Sequence, residues 1–276
     1  MFVYKYWEDF CRKLDSENIH SNTAQELLEQ KKQEFLILKH DVETNPSKAL
    51  ALAKLEAKYG HKGVYYIQAY LLNKKENIEI LKEIQSLGHE VSYHHDVLDG
   101  SSGDINAADK CFAENVRSFE ENGFKVITVC QHGNPVIERN GYYSNRDFFR
   151  NTDIQKKYSD ISEIMVNYRE RIGTDFKYIS DAGYGWKIIF DPETNDITDS
   201  SDKDILLENL DEVIKSVKEH KAMIVSTHPH RWYSNSFIAI TKNCVFKAIK
   251  ITAKTVMKIP FMKRLMGRFY FLAKKI

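Results

Sequence analysis

Four segments of the sequence place histidine and acidic side chains directly after a short apolar run. The first is His40-Asp41-Val42-Glu43, which follows the apolar residues 35–38. The other three span residues 92–96, 130–133 and 226–230 and contain His94-His95-Asp96, His132 and His228-Pro229-His230. Apolar runs of this length predict buried strands, and side chains at the carboxyl ends of parallel strands converge on one crevice. The pattern therefore predicts a site assembled from four strand ends, as expected of an enzyme.

The residue types at these strand ends can bind a divalent metal ion. Asp41 and Glu43 are two residues apart, so on a regular strand both side chains leave the same face and can reach one ion or one water. His94 and His132 come from neighbouring strand ends. Neutral imidazole with carboxylate suits zinc or a similar divalent ion, and a catalytic zinc needs about three protein ligands and one open position. The sequence offers at least that many ligands.

The order of the elements favours an α/β fold with a parallel sheet. From residue 35 to about 120, strand patterns alternate with helical stripes, which is typical of repeated βα units. From 134 to 202 the periodicity weakens, although 177–180 is typical of a strand that ends at Asp181. We predict three parts: an N-terminal helical cover at 1–34, a (β/α) barrel at 35–235 and a basic amphipathic tail at 236–276.

The bulk composition is that of a globular protein. A chain of 276 residues with 42% apolar and 29% charged residues is large enough for one α/β barrel or two smaller domains. Its four cysteines form no C-x-x-C spacing, which disfavours a zinc ribbon and fits a reducing compartment. The acidic pair Glu8-Asp9 disfavours a secretory signal, and no stretch reaches the roughly 20 apolar residues of a spanning helix. The composition predicts a cytoplasmic protein.

Charge is unevenly distributed along the chain. No acidic residue follows Glu219, and the first 219 residues hold 28 basic against 39 acidic side chains. The tail from 242 to 276 carries ten basic residues, several of them at helical intervals with apolar residues between. A basic amphipathic helix of this kind can lie on an anionic membrane surface. For a cytoplasmic protein, that surface is expected to be the inner face of the membrane. The alternative is a helix that docks on the barrel and exposes its basic face to solvent. Nucleic acid is not expected as a partner, because the acidic remainder would repel phosphates.

The motifs at the strand ends resemble those of the polysaccharide deacetylases, the NodB-homology group of carbohydrate esterases (family 4-like). The resemblance rests on His40-Asp41-Val42-Glu43, the following helix at 46–60, the segment Gly88-His89-Glu90-Val91-Ser92-Tyr93-His94, and Thr227-His228-Pro229. It runs from about residue 35 to 232, and within the family it is most similar to the branch associated with surface-polysaccharide and O-antigen biosynthesis. It implies a distorted (β/α) barrel that uses a divalent metal to remove acetyl groups from N-acetylated sugars.

The resemblance also implies roles for individual residues. Asp41 is expected to be the general base, with metal ligation as its alternative role, and His228 the acid that protonates the leaving amine, with His230 as its alternative. Glu43 and His94 are expected to bind the metal, for which zinc is the expected ion. The substrate pocket is expected to be lined by Asp181, Trp186, His230 and Arg231. His40, His89 and His95 are expected to support the site through hydrogen bonds.

The chain departs from the family pattern at two positions. The family places a second metal histidine four residues after the first, and that position holds Leu98, which cannot bind a metal. Glu43 stands where aspartate is common, which lengthens the ligand by one methylene. Either another residue completes the metal site, with His132 first and His95 or Asp96 behind it, or the metal is weakly held or absent.

Three functions are therefore to be compared. The first is a metal-dependent deacetylase acting on an acetamido sugar, in a polysaccharide or in a lipid-linked or nucleotide-linked precursor. The second is a degenerate barrel that binds glycans without hydrolysing them, which Leu98 would explain. The third is another metal-dependent hydrolase, cleaving a phosphoester or a different amide or ester. The four strand ends, the resemblance and the basic tail favour the first.

Overall fold

The computed structural model describes residues 1–134, 137–242 and 244–245. Its strands are β1 (Phe35–Val42), β2 (Gly63–Ile67), β3 (Glu90–His95), β4 (Thr128–Gln131), β5 (Ser162–Glu163), β6 (Lys177–Ser180), β7 (Trp186–Ile189), β8 (Ile205–Leu207) and β9 (Ala222–Thr227). Its helices are α1 (Tyr4–Ser16), α2 (Ala24–Gln30), α3 (Pro46–Lys58), α4 (Lys75–Ser86), α5 (Val97–Gly100), α6 (Ile105–Glu121), α7 (Arg146–Arg150), α8 (Thr152–Lys157), α9 (Tyr168–Ile172) and α10 (Leu210–His220). Short 3₁₀ turns cover Ala69–Asn73, Ser201–Lys203 and Pro229–Arg231. The greater part of the predicted basic tail, from residue 246 onward, lies outside the described residues.

The strands form one sheet in the order β5-β4-β3-β2-β1-β9-β6-β7-β8. Neighbouring strands are parallel from β5 to β6, and the described pairs β6–β7 and β7–β8 are antiparallel. The central strand β1 is buried along its whole length, which explains why its sequence is largely a continuous apolar run. Helices α3, α4 and α6 connect successive parallel strands. The predicted α/β class with a parallel sheet is confirmed.

The sheet is rolled into an open barrel. Asp41 on β1 and Cys130 on β4 are three strands apart, which is roughly 14 Å in a flat sheet, yet their side-chain ligand atoms lie within 4.8 Å of one another. On the other side of β1, Lys39 Nζ lies 5.9 Å from the ring centroid of Tyr178 on β6. The edge strands β5 and β8 do not pair with each other among the described residues. The barrel is therefore distorted and left open.

Alternation along β1 separates two environments. Leu36 and Leu38 pack with side chains of α1 and α10 on the outside of the barrel. Phe35 and Ile37 belong to a different cluster, which includes Tyr66 and Cys130. Because successive side chains on a strand point to opposite faces, residues 39 and 41 continue the inner face, and residues 40 and 42 face the helices.

Two helices precede the first strand. Helix α1 buries Trp7, Phe10 and Leu14 against the outer helical layer. Helix α2 begins with a capping box, in which Thr23 and Glu26 bond each other's backbone N–H groups. The backbone N–H of Gln25, in the first turn of α2, donates to the Glu90 side chain at the start of β3, at 2.8 Å. Helix α2 therefore lies at the amino-terminal end of the strands, away from the predicted site.

A further helix covers residues 236–242. The Asn235 side chain accepts a hydrogen bond from the backbone N–H of Phe237 at 2.7 Å, which satisfies one donor of the first turn. Among the described residues, no helix combines the length and the apolar character needed to cross a bilayer.

Candidate metal and catalytic site

Five polar side chains meet at the carboxyl ends of the parallel strands. Asp41 and Glu43 lie at the end of β1, His94 near the end of β3, His132 directly after β4 and His228 directly after β9. His228 Nε2 lies 3.9 Å from Asp41 Oδ2 and 3.9 Å from Glu43 Oε1. The rings of His94 and His132 are 5.2 Å apart. The structure therefore brings together residues from the four segments singled out in the sequence.

Glu43, His94 and His132 are the predicted metal ligands, and the structure places them beside one another. His132 Nε2 lies 3.2 Å from Glu43 Oε1. His94 Nδ1 donates to the carbonyl oxygen of Cys130 at 3.0 Å, which leaves the lone pair on Nε2 available for a ligand bond. Burial lowers the pKa of His94 to about 3, although the negative charge of Asp41 acts to raise it. The ring is therefore neutral at pH 7. One carboxylate and two imidazoles fit a divalent ion such as zinc.

A buried lysine stands beneath the predicted general base. Lys39 Nζ donates to both carboxylate oxygens of Asp41, at 2.5 and 2.6 Å, and lies 3.3 Å from Ser226 Oγ. Burial alone would raise the pKa of Asp41, but the positive charge of Lys39 and its hydrogen bonds to the carboxylate outweigh burial and lower that pKa below its usual value. The Asp41 carboxylate is therefore held as an anion. Sequence reasoning missed Lys39, although its spacing of two residues from Asp41 places both on one face.

Cys130 offers a second possible ligand set. Atoms of Asp41, His94 and Cys130 all lie within 4.8 Å of one another. Burial raises the pKa of the Cys130 thiol well above its usual value, so the thiolate that metals bind is scarce at neutral pH. The ammonium group of Lys39 already compensates Asp41, and like charge repels a second cation there. The donor chemistry therefore favours the group of Glu43, His94 and His132.

Asp181 holds His228 in place through buried hydrogen bonds, and its predicted place in the substrate pocket stays a prediction. Its side chain is fully buried. One carboxylate oxygen accepts from His228 Nδ1 at 2.7 Å and from the Arg231 guanidinium at 2.6 Å, and the other accepts from Thr227 Oγ1 and from the His228 backbone N–H. Arg231 also donates to the Asp181 carbonyl oxygen at 2.7 Å. One guanidinium nitrogen of Arg231 is thus bound to Asp181, and the substrate role of Arg231 stays a prediction.

Trp186 and His230, the other two predicted pocket residues, lie in different parts of the structure. Trp186 is buried in the outer apolar cluster, where its ring packs on Phe2, Trp7 and Trp232. Trp186 therefore packs with this cluster, and its predicted place in the substrate pocket stays a prediction. The His230 ring lies 5.6 Å from that of His228 and is close to the five site side chains. Burial lowers the pKa of His230 to about 3, so it is a neutral hydrogen-bonding group.

The side chains of His40, His89 and His95 make their contacts away from the five site side chains, although the His95 carbonyl oxygen accepts a hydrogen bond from the His132 N–H at 2.7 Å. Their supporting roles stay predictions. His40 faces the helices, where its Nε2 lies 2.7 Å from a carboxylate oxygen of buried Glu56. His89 bonds the backbone of Ala53 and Gly63. The His95 side chain packs among the aromatic rings of Tyr93, Phe112, Phe148 and Phe149, so it does not complete the metal site.

A buried amide fixes the segment that carries His132. Asn145 is fully buried, and its Nδ2 donates to the His132 carbonyl oxygen at 2.9 Å and to Asp99 Oδ2 at 2.9 Å. The Asn145 side-chain oxygen accepts from the Asp99 backbone N–H at 2.9 Å. Arg139 donates twice to Asp99, both at 2.8 Å. Helix α5, which follows His94 along the chain, is thereby tied to His132. No local pattern in the sequence indicated this network.

Neither Leu98 nor Asp96 takes the place of the metal-binding histidine that the family pattern has at position 98. Leu98 is 3% exposed and packs in the apolar cluster outside the barrel, so its position does not face the five site side chains. Asp96 is exposed, and one of its carboxylate oxygens lies 3.4 Å from the Gln68 side chain. Among the alternatives considered from the sequence, His132 is the residue that contacts Glu43.

Comparisons with known proteins give remote likenesses. No family model matches the chain, and no curated protein matches it. Among solved structures, a Streptococcus mutans CE4 esterase is 10% identical, with 84% of this chain and 89% of that chain covered and a TM-score of 0.45. A mutant of BA3943, described as a CE4 family pseudoenzyme with restored enzymatic activity, is 16% identical over 80% of this chain and 65% of that chain, with a TM-score of 0.42. Peptidoglycan deacetylase PdaC from Bacillus subtilis is 14% identical over 83% and 98%, with a TM-score of 0.33.

Proposed function

We propose that this protein is a metal-dependent hydrolase that removes an acetyl group from an N-acetylated sugar. The observation that carries the proposal is that the predicted metal ligands lie next to the predicted acid and base. Glu43 and His132 are in contact beside His94, and His228 stands 3.9 Å from both Asp41 and Glu43. The resemblance of the motifs to polysaccharide deacetylases agrees with this arrangement.

The metal would be held by Glu43, His94 and His132, and zinc is the expected ion. When bound, such an ion polarises the acetyl carbonyl and lowers the pKa of a bound water. The chain's own contribution is to keep His94 neutral and to direct its Nε2, through the Nδ1 hydrogen bond to the Cys130 carbonyl oxygen. The Asn145 amide holds the backbone at His132.

Asp41 and His228 would move the protons. Asp41 is kept anionic by Lys39 and would accept the proton of the attacking water. His228 Nδ1 is fixed by Asp181, so its Nε2 is directed towards Asp41 and Glu43 and would donate a proton to the departing sugar nitrogen. Each positioned proton transfer is typically worth about 10²–10⁴ in rate.

The proposed substrate is an acetamido sugar carried by a lipid or a nucleotide, as used in surface-polysaccharide or O-antigen biosynthesis at the inner face of a membrane. His230, next to His228, is the side chain best placed to contact its hydroxyl groups. The protein is proposed to be cytoplasmic and peripheral on that membrane.

Acetate release tests the proposal. Purified protein would be incubated with N-acetylated chitooligosaccharides and nucleotide-linked N-acetylhexosamines, before and after chelation and zinc restoration. We expect activity that disappears on chelation and returns with zinc. Asp41→Asn should suppress turnover while metal stays bound. Acetate release that persists in fully demetallated protein would overturn the mechanism.

A glycan-binding barrel without hydrolysis is the second candidate, because the family's second histidine position is the buried Leu98. Metal titration separates it from the first. Stoichiometric zinc at micromolar affinity supports the hydrolase, whereas sugar binding without metal binding supports the second candidate. A panel of phosphoesters, other amides and acetyl esters tests the third candidate, another metal-dependent hydrolase.

A further inference from the structure

The helix at 236–242 presents its apolar side chains to solvent. Phe237 is 76% exposed, Ile240 47% and Ile238 44%, whereas Ala239 is buried, with 5% exposed. At about 100° per residue, these three exposed side chains span an arc of roughly 160°, and Ala239 lies on the opposite side. An amphipathic helix of a globular protein normally buries its wide apolar face. This helix exposes it.

The sequence that follows this helix is strongly basic, which favours an anionic partner. Ten basic residues and no acidic residue occur from Lys242 to the end of the sequence, while the first 219 residues are acidic in balance. Apolar side chains next to a concentrated positive charge are the combination with which peripheral proteins bind anionic lipid surfaces.

The helix also borders the candidate active site. Lys48 Nζ donates to the His230 carbonyl oxygen at 2.7 Å and lies 3.6 Å from the ring centroid of Tyr233, three residues before the helix. Burial and, to a smaller extent, the positive charge of Lys242 together lower the pKa of Lys48 to about 8, so Lys242 is close to this contact. A surface bound by the helix would therefore lie near His230.

We propose that the exposed face of the 236–242 helix docks on an anionic lipid bilayer, with Phe237, Ile238 and Ile240 entering the interface and Lys242 contacting the headgroups, while the net positive charge of the following sequence adds electrostatic attraction. Binding of the bilayer does not depend on the proposed hydrolase activity. The further consequence, that a lipid-linked sugar is presented to His228 and His230 at the bilayer surface, rests on the proposed function.

Vesicle flotation of the full chain tests the docking. Vesicles of phosphatidylglycerol and phosphatidylcholine would be compared with vesicles of phosphatidylcholine alone. We expect wild-type protein to float with the anionic vesicles, to bind less as salt is raised, and to stay at the bottom with the neutral ones. The double variant Phe237→Ser/Ile240→Ser should bind the anionic vesicles at least tenfold more weakly, with an unchanged circular dichroism spectrum.

The matched control removes exposed apolar groups elsewhere. Phe190 and Leu206 are 56% and 79% exposed, so Phe190→Ser/Leu206→Ser deletes similar surface and should bind vesicles like wild type. Equal flotation of wild type and the Phe237→Ser/Ile240→Ser variant would overturn the proposal. Tight binding to a duplex DNA fragment with no flotation would reassign the basic surface to nucleic acid. Flotation is measured without substrate, so an inactive protein tests the docking equally well.

Discussion

Lys39 Nζ lies within 2.6 Å of both carboxylate oxygens of Asp41, and both side chains are buried inside the barrel. A buried ion pair of this kind contributes little net stability compared with an apolar pair, but removing one partner leaves an uncompensated charge. Here the pair also determines the ionisation state of Asp41, the proposed general base. Asp41 remains an anion within a buried site because Lys39 stands beside it.

We predict that Lys39→Met lowers the free energy of unfolding by about 3–5 kcal/mol, because it strands the Asp41 carboxylate in the interior. Activity should fall as well, since Asp41 then binds a proton at higher pH. The double variant Lys39→Met/Asp41→Asn should recover most of the lost stability but no activity. Urea unfolding and acetate release measure the two effects.

The control for Lys39 is the more exposed pair of Lys187 and Asp204, whose charged atoms are 2.5 Å apart. Lys187→Met should cost about 1 kcal/mol or less and leave activity unchanged. Lys39→Met and Lys187→Met proteins of equal stability would show that Lys39 is not needed as the counterion of Asp41.

The strand ends could be predicted from the sequence because each is a local pattern. An apolar run followed by His, Asp or Glu identifies a buried strand and its functional end, and parallel topology brings such ends together. Alternation along a strand would also have placed Lys39 on the face of Asp41, and the side chains of His40 and His95 on the opposite face. Residues 39 and 41 share one strand face and residue 40 takes the other, and His95 stands opposite His94 in the same way.

Other features depend on contacts that no local pattern reveals. Asp181 could be placed at a strand end, but its role follows from Arg231 and His228, which lie about 50 residues further along the chain. Between residues 134 and 202 the helices and strands are only two to six residues long, too short for a clear periodicity. The amide of Asn145 joins Asp99 to His132 through side-chain geometry alone.

Asn145→Ala should weaken zinc binding by about 10–100-fold, the usual effect of losing a group that orients a metal ligand. The reason is that the His132 carbonyl oxygen and Asp99 both lose the buried donor that ties them together. Competition titration with a chromophoric chelator measures the affinity, and excess zinc should restore activity. Asn115→Ala is the control, because Asn115 on α6 donates to Tyr93, whose side chain leaves the face of β3 opposite to that of His94. Equal zinc affinity in the Asn145→Ala and Asn115→Ala proteins would remove Asn145 from the metal site.

Glu90 should make folding depend on pH. Its buried carboxylate accepts hydrogen bonds from the Gln25 backbone and from Thr128 Oγ1, and burial raises its pKa from 4.5 to about 7. Between these two values the folded protein keeps a proton that the unfolded chain has released, so the free energy of unfolding falls as pH rises. The fall attributable to Glu90 is at most about 3 kcal/mol.

Glu90→Gln should remove the part of the fall in the free energy of unfolding that Glu90 causes. The control Glu219→Gln, on the exposed surface of α10, should show the same fall as wild type. Urea unfolding at pH 5, 6, 7 and 8 gives the slope for each protein. If wild type and Glu90→Gln lose stability in parallel over this range, Glu90 is already ionised in the folded protein.

His132 and Leu98 provide the sharpest test of how the metal site is completed. His132→Ala should abolish stoichiometric zinc binding, while His230→Ala should keep it, because His132 contacts Glu43 and His230 stands next to His228. Leu98→His should not restore zinc binding to His132→Ala, since position 98 is buried in the apolar cluster outside the barrel. Isothermal titration on proteins checked for folding by circular dichroism measures all three. Zinc binding regained in His132→Ala/Leu98→His would mean that position 98 faces the site and that His132 is not the residue that replaces the missing histidine.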